Sequence, residues 1–245
     1  MKFKNLAILM ACFLMFSCSK DETVETKEVK RDIKFNVSSF NQEITDISYT
    51  KSLGETVGYL NYMVFNSSGS LVKEVTQTKS DANFGVISDQ LAAGSYTIIF
   101  IGTKQKPNHI NTTSLNENSI YYTQDLASIY DSFYKKVVIT VDKNNIAQNV
   151  VLDRFVSYVE VVLSDVMPSY VKKVNVNIEN EASFFYFNSG ETSNFFFSAN
   201  FEKEVTTADV GKPNFTVGNF SLNTKTPLTI NIKAYDVDNK VIAEK

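Results

Sequence analysis

"VGYLNYMVF" at residues 57 to 65, then "NSSG" at 66 to 69 and "SLVKEV" at 70 to 75, is the stretch that decides the fold class. The first run is apolar at odd and even positions alike, so it reads as a strand covered on both faces. "NSSG" is a chain reversal in which Gly69 is free to take a positive φ. The two runs around it therefore form a β-hairpin.

Outward from this hairpin the same signals recur. "SYTIIFIG" (95 to 102) is a second strand with two apolar faces. Elsewhere the period is two: Ile33, Phe35 and Val37 alternate with Lys34, Asn36 and Ser38. Val174, Val176 and Ile178 alternate with Asn175, Asn177 and Glu179. Leu228, Ile230, Ile232 and Ala234 alternate with Thr229, Asn231 and Lys233. Each such run turns one face to a core and the other to water. Helix is scarce: "SDQLAAG" (88 to 94) allows one turn and "YTQDLASIYDSFY" (122 to 134) a short helix. The 19 Phe and 12 Tyr, with no Trp, suit strands. Strands about ten residues apart, with polar turns between them, predict an all-β chain of antiparallel sandwiches.

A seam falls in "VVLDRFVSYVEVVL", where a strand ends near Leu152, Asp153 and Arg154 interrupt, and Val159, Val161 and Leu163 then face one way. This predicts two tandem sandwiches, 32–153 and 154–245; a single sandwich with large insertions is the alternative. The last strand, after the turn "DVDNK" (236 to 240), is only "VIAEK". Either the second domain borrows a strand from elsewhere or the sequence is truncated.

The N-terminus is not part of the fold. Lys2 and Lys4 precede the apolar run Leu6 to Phe16. As a helix that run rises only ~16 Å, against a hydrocarbon core of ~30 Å. Residues 1–17 have the layout of a secretory signal. "MFSC" resembles a bacterial lipobox, with Phe16 where a smaller residue is usual, and makes Cys18 the acylated first residue of the mature protein. Residues 18–31 then form the lipidated cysteine and a charged tether, too polar to bury a core of its own. "SKDE" (19 to 22) is similar to the tag that sends lipoproteins of the Bacteroidetes to the outer face of the outer membrane, or is simply a solvated linker.

With Lys2 and Lys4 gone, 22 basic side chains face 27 acidic ones, a formal charge of −5. Nucleic acid, whose binding needs a basic footprint, is excluded as a partner. Cys12 leaves with the signal and Cys18 is the anchor, so the folded part has no disulfide to rely on.

Taken together, the runs from Leu60 to Lys104 and from Phe133 to Asn180, behind the lipobox, resemble the fimbrillin-type lipoproteins of Bacteroidetes. The resemblance covers nearly the whole mature chain. It implies two transthyretin-like, Greek-key β-sandwich domains and a non-enzymatic role as a subunit of surface fimbriae. The implied partners are fimbrial subunit proteins, joined by strand addition to support adhesion, and the outer membrane, joined through the lipid on Cys18. In polymerising members, the resemblance implies, a protease cuts after an arginine ahead of the strand that starts here near Val57, and removal of the first strand opens an apolar groove. This chain departs from that pattern, because no arginine lies between Arg31 and Val57 and the nearest basic residue is Lys51. A cut after Arg31 keeps the strand Ile33 to Val37. The tail after Asp238 is also a poor donor strand. Both features favour an anchor or accessory subunit. The rival is a surface glycan-binding lipoprotein of a polysaccharide-uptake system, and the lack of Trp weighs against it.

No catalytic, cofactor or metal site can be assembled. His109, in "KPNHINTT", is the sole histidine and is expected exposed in its loop, without the partners of a zinc site or a nucleophile–base pair. "DVDNK" lacks the length and terminal Glu of a calcium loop. Glu202 and Glu204 sit in a solvated context, unlike a glycosidase pair. "FFYF" (184 to 187) and "FFF" (195 to 197) are expected to pair as a hairpin around "NSGETSN", burying alternate rings; an exposed adhesive or sugar-stacking patch is the other reading.

Overall fold

A computed structural model describes residues 29–41, 53–107, 109–122, 129–222 and 226–245. The lipobox, Cys18 and most of the tether lie outside them. Among the described residues the regular elements are strands, apart from one helical turn at Leu53–Thr56. The deciding stretch folds as read. Tyr59–Asn66 (β2) pairs antiparallel with Leu71–Thr78 (β3), and Gly69 in the turn has a φ of 79°. Asn66 organises that turn, its Oδ1 accepting from the backbone N–H of Ser68 and Ser70 at 3.1 and 3.0 Å.

β2 lacks alternation because it is buried twice over. Leu60, Tyr62 and Val64 face one core, while Met63 and Phe65 face another. Gly94–Thr103 (β5), paired along the other edge of β2, splits the same way: Ile98 and Phe100 on one side, Ile99 and Ile101 on the other. Four more strands complete this part: Arg31–Asn41 (β1), Val86–Leu91 (β4), Ser132–Val141 (β8) and Ile146–Arg154 (β9). The order is β3-β2-β5-β8-β9-β1-β4. β8 and β9 share only the pairs Phe133↔Arg154 and Tyr134↔Asp153. There the sheet folds over, and its halves enclose a core that includes Phe35, Tyr62, Phe100 and Phe133. One pair, β1 with β9, is parallel, an exception to the antiparallel expectation. The chain between them crosses the whole domain, as a parallel pair requires.

The two outer strands, β3 and β4, meet through side chains. The Gln77 side-chain amide donates to the Val86 carbonyl at 2.9 Å and its Oε1 accepts from Gly85 N–H at 3.0 Å. Lys73 pairs with Asp89, whose other oxygen accepts the Tyr62 hydroxyl at 2.9 Å. These contacts explain a correction: "SDQLAAG" is not a helical turn, because its first four residues belong to β4. Ile87 and Leu91 enter the core and Asp89 is buried against Lys73 and Tyr62. Of the helix expected at 122–134, residues 123–128 lie outside the description, and the part from Ser132 onward is β8. Asp153 and Arg154 are strand residues rather than an interruption, because both side chains find ion-pair partners, and β9 ends at Arg154.

The later part has two layers of unequal size. Ser157–Leu163 (β10) and Phe215–Ser221 (β15) form a two-stranded sheet. Phe196–Glu204 (β14), Lys173–Ala182 (β11), Thr229–Tyr235 (β16) and Val241–Glu244 (β17) form a four-stranded one, in that order. Met167, Val174, Val176, Phe215 and Val217 are buried between them. A third sheet joins the two parts. Ile110–Asn111 (β6) and Ser119–Tyr121 (β7) precede Arg154, Phe184–Tyr186 (β12) and Glu191–Thr192 (β13) follow it, and the order is β13-β12-β7-β6. Its inner face, with Ile120, Phe185 and Phe187, covers Met63, Phe65, Ile99 and Ile101.

Candidate functional site

The candidate sites are surfaces and strand edges, and in the first part β1 leaves no place beside it for an incoming strand. β1 is paired on both edges, from Arg31↔Leu91 to Asn36↔Val86 on one side and from Ile33↔Ile146 onward on the other. Ile33, Phe35 and Val37 are buried. Arg31 stands at its first position, with Nε donating to the Asp142 carbonyl at 3.3 Å. The chain's other arginine, Arg154, is held at the seam. Its Nε and Nη2 donate to the two Asp131 oxygens at 2.7 and 2.8 Å, with both side chains more than nine-tenths buried. The guanidinium also lies 5.1 Å from the Phe133 ring centroid. Burial pushes the Asp131 carboxyl above its ordinary value, and the Arg154 guanidinium works against that rise.

The second part has open edges. Among the described residues β10 and β15 each pair only with the other. Two strands cannot cover four. Val174, Val176 and Ile178 on β11 are sealed, but Ile230 on β16, the register partner of Ile178, is 36 % exposed and β17 is exposed throughout. The edge of β10 and the apolar positions of β16 thus make a surface on which another strand could lie.

The aromatic clusters lie on the two arms of one hairpin, as expected, but in a register that does not set them opposite each other. "FFYF" instead turns back tightly on β13 and pairs with β7, while Phe196 and Phe197 pair with Ala182 and Glu181 of β11. The reason is burial: Phe185 and Phe187 fill the core beneath the small sheet, whose neighbour is β7. The alternate rings are buried as expected, yet Phe195 is 69 % and Phe196 44 % exposed. His109 is also placed differently from the reading. It is half-buried beside β6, its Nδ1 2.9 Å from the Tyr121 hydroxyl and its ring in contact with Tyr121.

The remaining candidates carry no chemistry of their own. In "DVDNK" the Asp236 carboxylate accepts from the backbone N–H of Asp238 and Lys240, both at 2.9 Å, and Asn239 has a φ of 58°. The carboxylate is consumed by the turn. Glu202 pairs with Lys173 at 3.1 Å and Glu204 is exposed. Among the described residues no group of three or more His, Cys, Asp or Glu could hold a metal ion. No helix among them is long and apolar enough to cross a membrane. Sequence reasoning missed Asp131 as the partner of Arg154; only the β8–β9 fold-over brings the two together.

The profile of a family described as fimbrillin-A associated anchor proteins Mfa1 and Mfa2 matches residues 28–245. No curated protein sequence matches the chain. Among solved structures, the fimbrial anchor protein Mfa2 from Porphyromonas gingivalis superposes with a TM-score of 0.59 at 16 % identity, over 89 % of this chain and 82 % of that one. A candidate adhesin from Bacteroides ovatus gives a TM-score of 0.61 at 13 % identity, over 89 % and 77 %. A candidate polysaccharide-binding protein from Bacteroides thetaiotaomicron gives 0.59 at 12 % identity, over 89 % and 80 %. At these identities the likeness shows a shared fold.

Proposed function

The chain belongs to the family of fimbrillin-A associated anchor proteins, and from that premise we propose that it is a lipid-anchored subunit holding a fimbria to the outer membrane. Its work is that of a fimbrial anchor or accessory subunit at the cell surface or envelope. Cys18 carries the lipid, residues 19–31 are the tether, and 32–153 and 154–245 are the two domains. Stable attachment of this kind takes more than one acyl chain. No step of bond-making belongs to this role.

The subunit joins its partner by strand addition, with backbone pairing for affinity and alternate side chains for specificity. The observation that carries this half of the reading is the unequal layering of the second part. An added strand on the free edge of β10 would cover the apolar positions of β16. The first part contributes no acceptor while β1 is in place. A cut after Arg31 removes only the first residue of β1, and Arg154 is buried. Arginine-directed processing therefore does not open this subunit, as suits a permanent anchor.

The decisive experiment is Cys18→Ala in the native host, read by fatty-acid labelling and envelope fractionation. The expected result is loss of label and release of the protein, with fimbriae shed into the medium. A variant that stays on the envelope as before overturns the anchor.

A further inference from the structure

The outer face of the small sheet β13-β12-β7-β6 is built as two parallel rows. Alternate strand positions share a face, so Phe184 and Tyr186 of β12, Tyr121 of β7, and Asn111 of β6 point away from the core filled by Phe185 and Ile120. The first row is aromatic. Phe195, Phe184, Tyr121 and His109 follow one another across the strands with ring centroids 6.3, 5.8 and 4.7 Å apart. The second row is polar and in register beside it, with Glu191 opposite Tyr186 and Tyr186 opposite Ser119, which in turn faces Asn111. Ser119 is buried and donates to the Glu117 carbonyl, and Asn111 Oδ1 accepts from the Thr113 N–H at 3.0 Å, so the Tyr186 hydroxyl and the Asn111 amide N–H are the groups this row offers. Phe184 and Tyr186 bridge the rows with rings 6.0 Å apart and 9° from parallel.

From this arrangement we propose that the face binds a neutral glycan chain lying across the strands. Its sugar rings stack by their C–H faces on the aromatic row, and its hydroxyls bond to the polar row. Three features select this occupant. Rings repeat across adjacent strands, which are ~4.8 Å apart, so the face suits a repeating chain rather than a single anchor residue. The ligand must be apolar on one side and hydroxylated on the other, since the face has both characters side by side. Neither row contains a lysine or arginine, so acidic sugars and phosphates find no counter-charge within it.

The proposal is independent of the anchor and of strand addition, because none of these residues belongs to β10, β16 or the tether. It is tested by affinity electrophoresis of the purified full chain in detergent, through gels containing neutral plant, yeast and mucin-type polysaccharides, with an acidic polysaccharide as control. Retardation by at least one neutral polysaccharide is expected. Phe195→Ala should weaken it at least ten-fold with an unchanged melting temperature, as this ring is largely exposed. Phe195→Trp should restore it, and Tyr186→Phe should reduce it several-fold. Absence of retardation by every neutral polysaccharide, retardation unaffected by Phe195→Ala, or retardation by the acidic one alone that salt abolishes would each overturn the proposal.

Discussion

The two parts of this chain use the same material and reach different ends. Both are made of strands with alternating apolar residues, and both enclose a core between two layers. In the first part seven strands fold over, and the outer strands β3 and β4 are tied by Gln77 and by Lys73 with Asp89. In the second, two strands face four, and Ile230 and β17 remain outside. The alternation of Ile230, Ile232 and Ala234 is as regular as that of Ile33, Phe35 and Val37. What differs is whether a strand lies opposite. A strand pattern states a demand for cover, and the topology decides whether the same part of the chain meets it.

The contrast is broken most sharply by core truncation. Phe35 is fully buried, in edge contact with Phe100 at 5.2 Å. Phe35→Ala should cost about 3–5 kcal/mol in urea denaturation, through lost transfer energy and a cavity the closed layers cannot collapse. The equivalent truncation on β16, Ile232→Ala, should cost clearly less, because a half-open site relaxes and its wild-type side chain is already partly wet. Equal losses would mean that the second part is as well sealed as the first.

At the seam, Arg154→Met leaves the Asp131 carboxylate buried without its counter-charge, which typically costs about 3–5 kcal/mol. The dependence on pH follows from the raised Asp131 pKa. Folding favours the protonated form, so the contribution is full below the ordinary carboxylate range and is lost as pH rises through the folded value. Without the guanidinium the rise is larger. The deficit of Arg154→Met should therefore be greater at pH 7 than at pH 4. A deficit equal at both would show that Asp131 is not buried as a charge.

Much of the fold was legible because burial leaves a period in the sequence. β2 and β5 declared themselves by lacking alternation, β1, β11 and β16 by having it, and the Asn66–Gly69 turn by its residue types. What stayed illegible is non-local. "SDQLAAG" allowed a helical turn, and what holds it as a strand is distant: Lys73 and Tyr62, the partners of Asp89, lie 16 and 27 residues away. "FFYF" and "FFF" looked like partners because both are aromatic and close in sequence. Their true partners, β7 and β11, were set by which core each strand had to cover. The double row behind the proposed glycan face could not be read at all, since it exists only in the register of strands from opposite sides of Arg154.

A smaller effect sharpens the turn that begins the fold. Gly69 has a positive φ and room for its missing Cβ, which would meet Leu115 Cβ at an ordinary contact distance of 3.6 Å. Gly69→Ala should cost about 1 kcal/mol, from backbone strain alone, by thermal or urea denaturation. A loss above ~3 kcal/mol would point to packing at Leu115 instead.

The smallest stability effect carries the largest functional one. Ile230 is already part-exposed, so Ile230→Ser should change the stability of the isolated chain by no more than about 0.5–1 kcal/mol. If an added strand on β10 is what covers β16, the same substitution places a hydroxyl in the pocket that strand must fill, and removes apolar area that is buried only on assembly. Fimbriae recovered with the subunit by pull-down from detergent-treated cells should then fall severalfold, while Tyr158→Phe on the opposite face of β10 leaves recovery unchanged. Undiminished recovery with Ile230→Ser would show that the unequal layers are not the joint, and that the partner meets this subunit elsewhere.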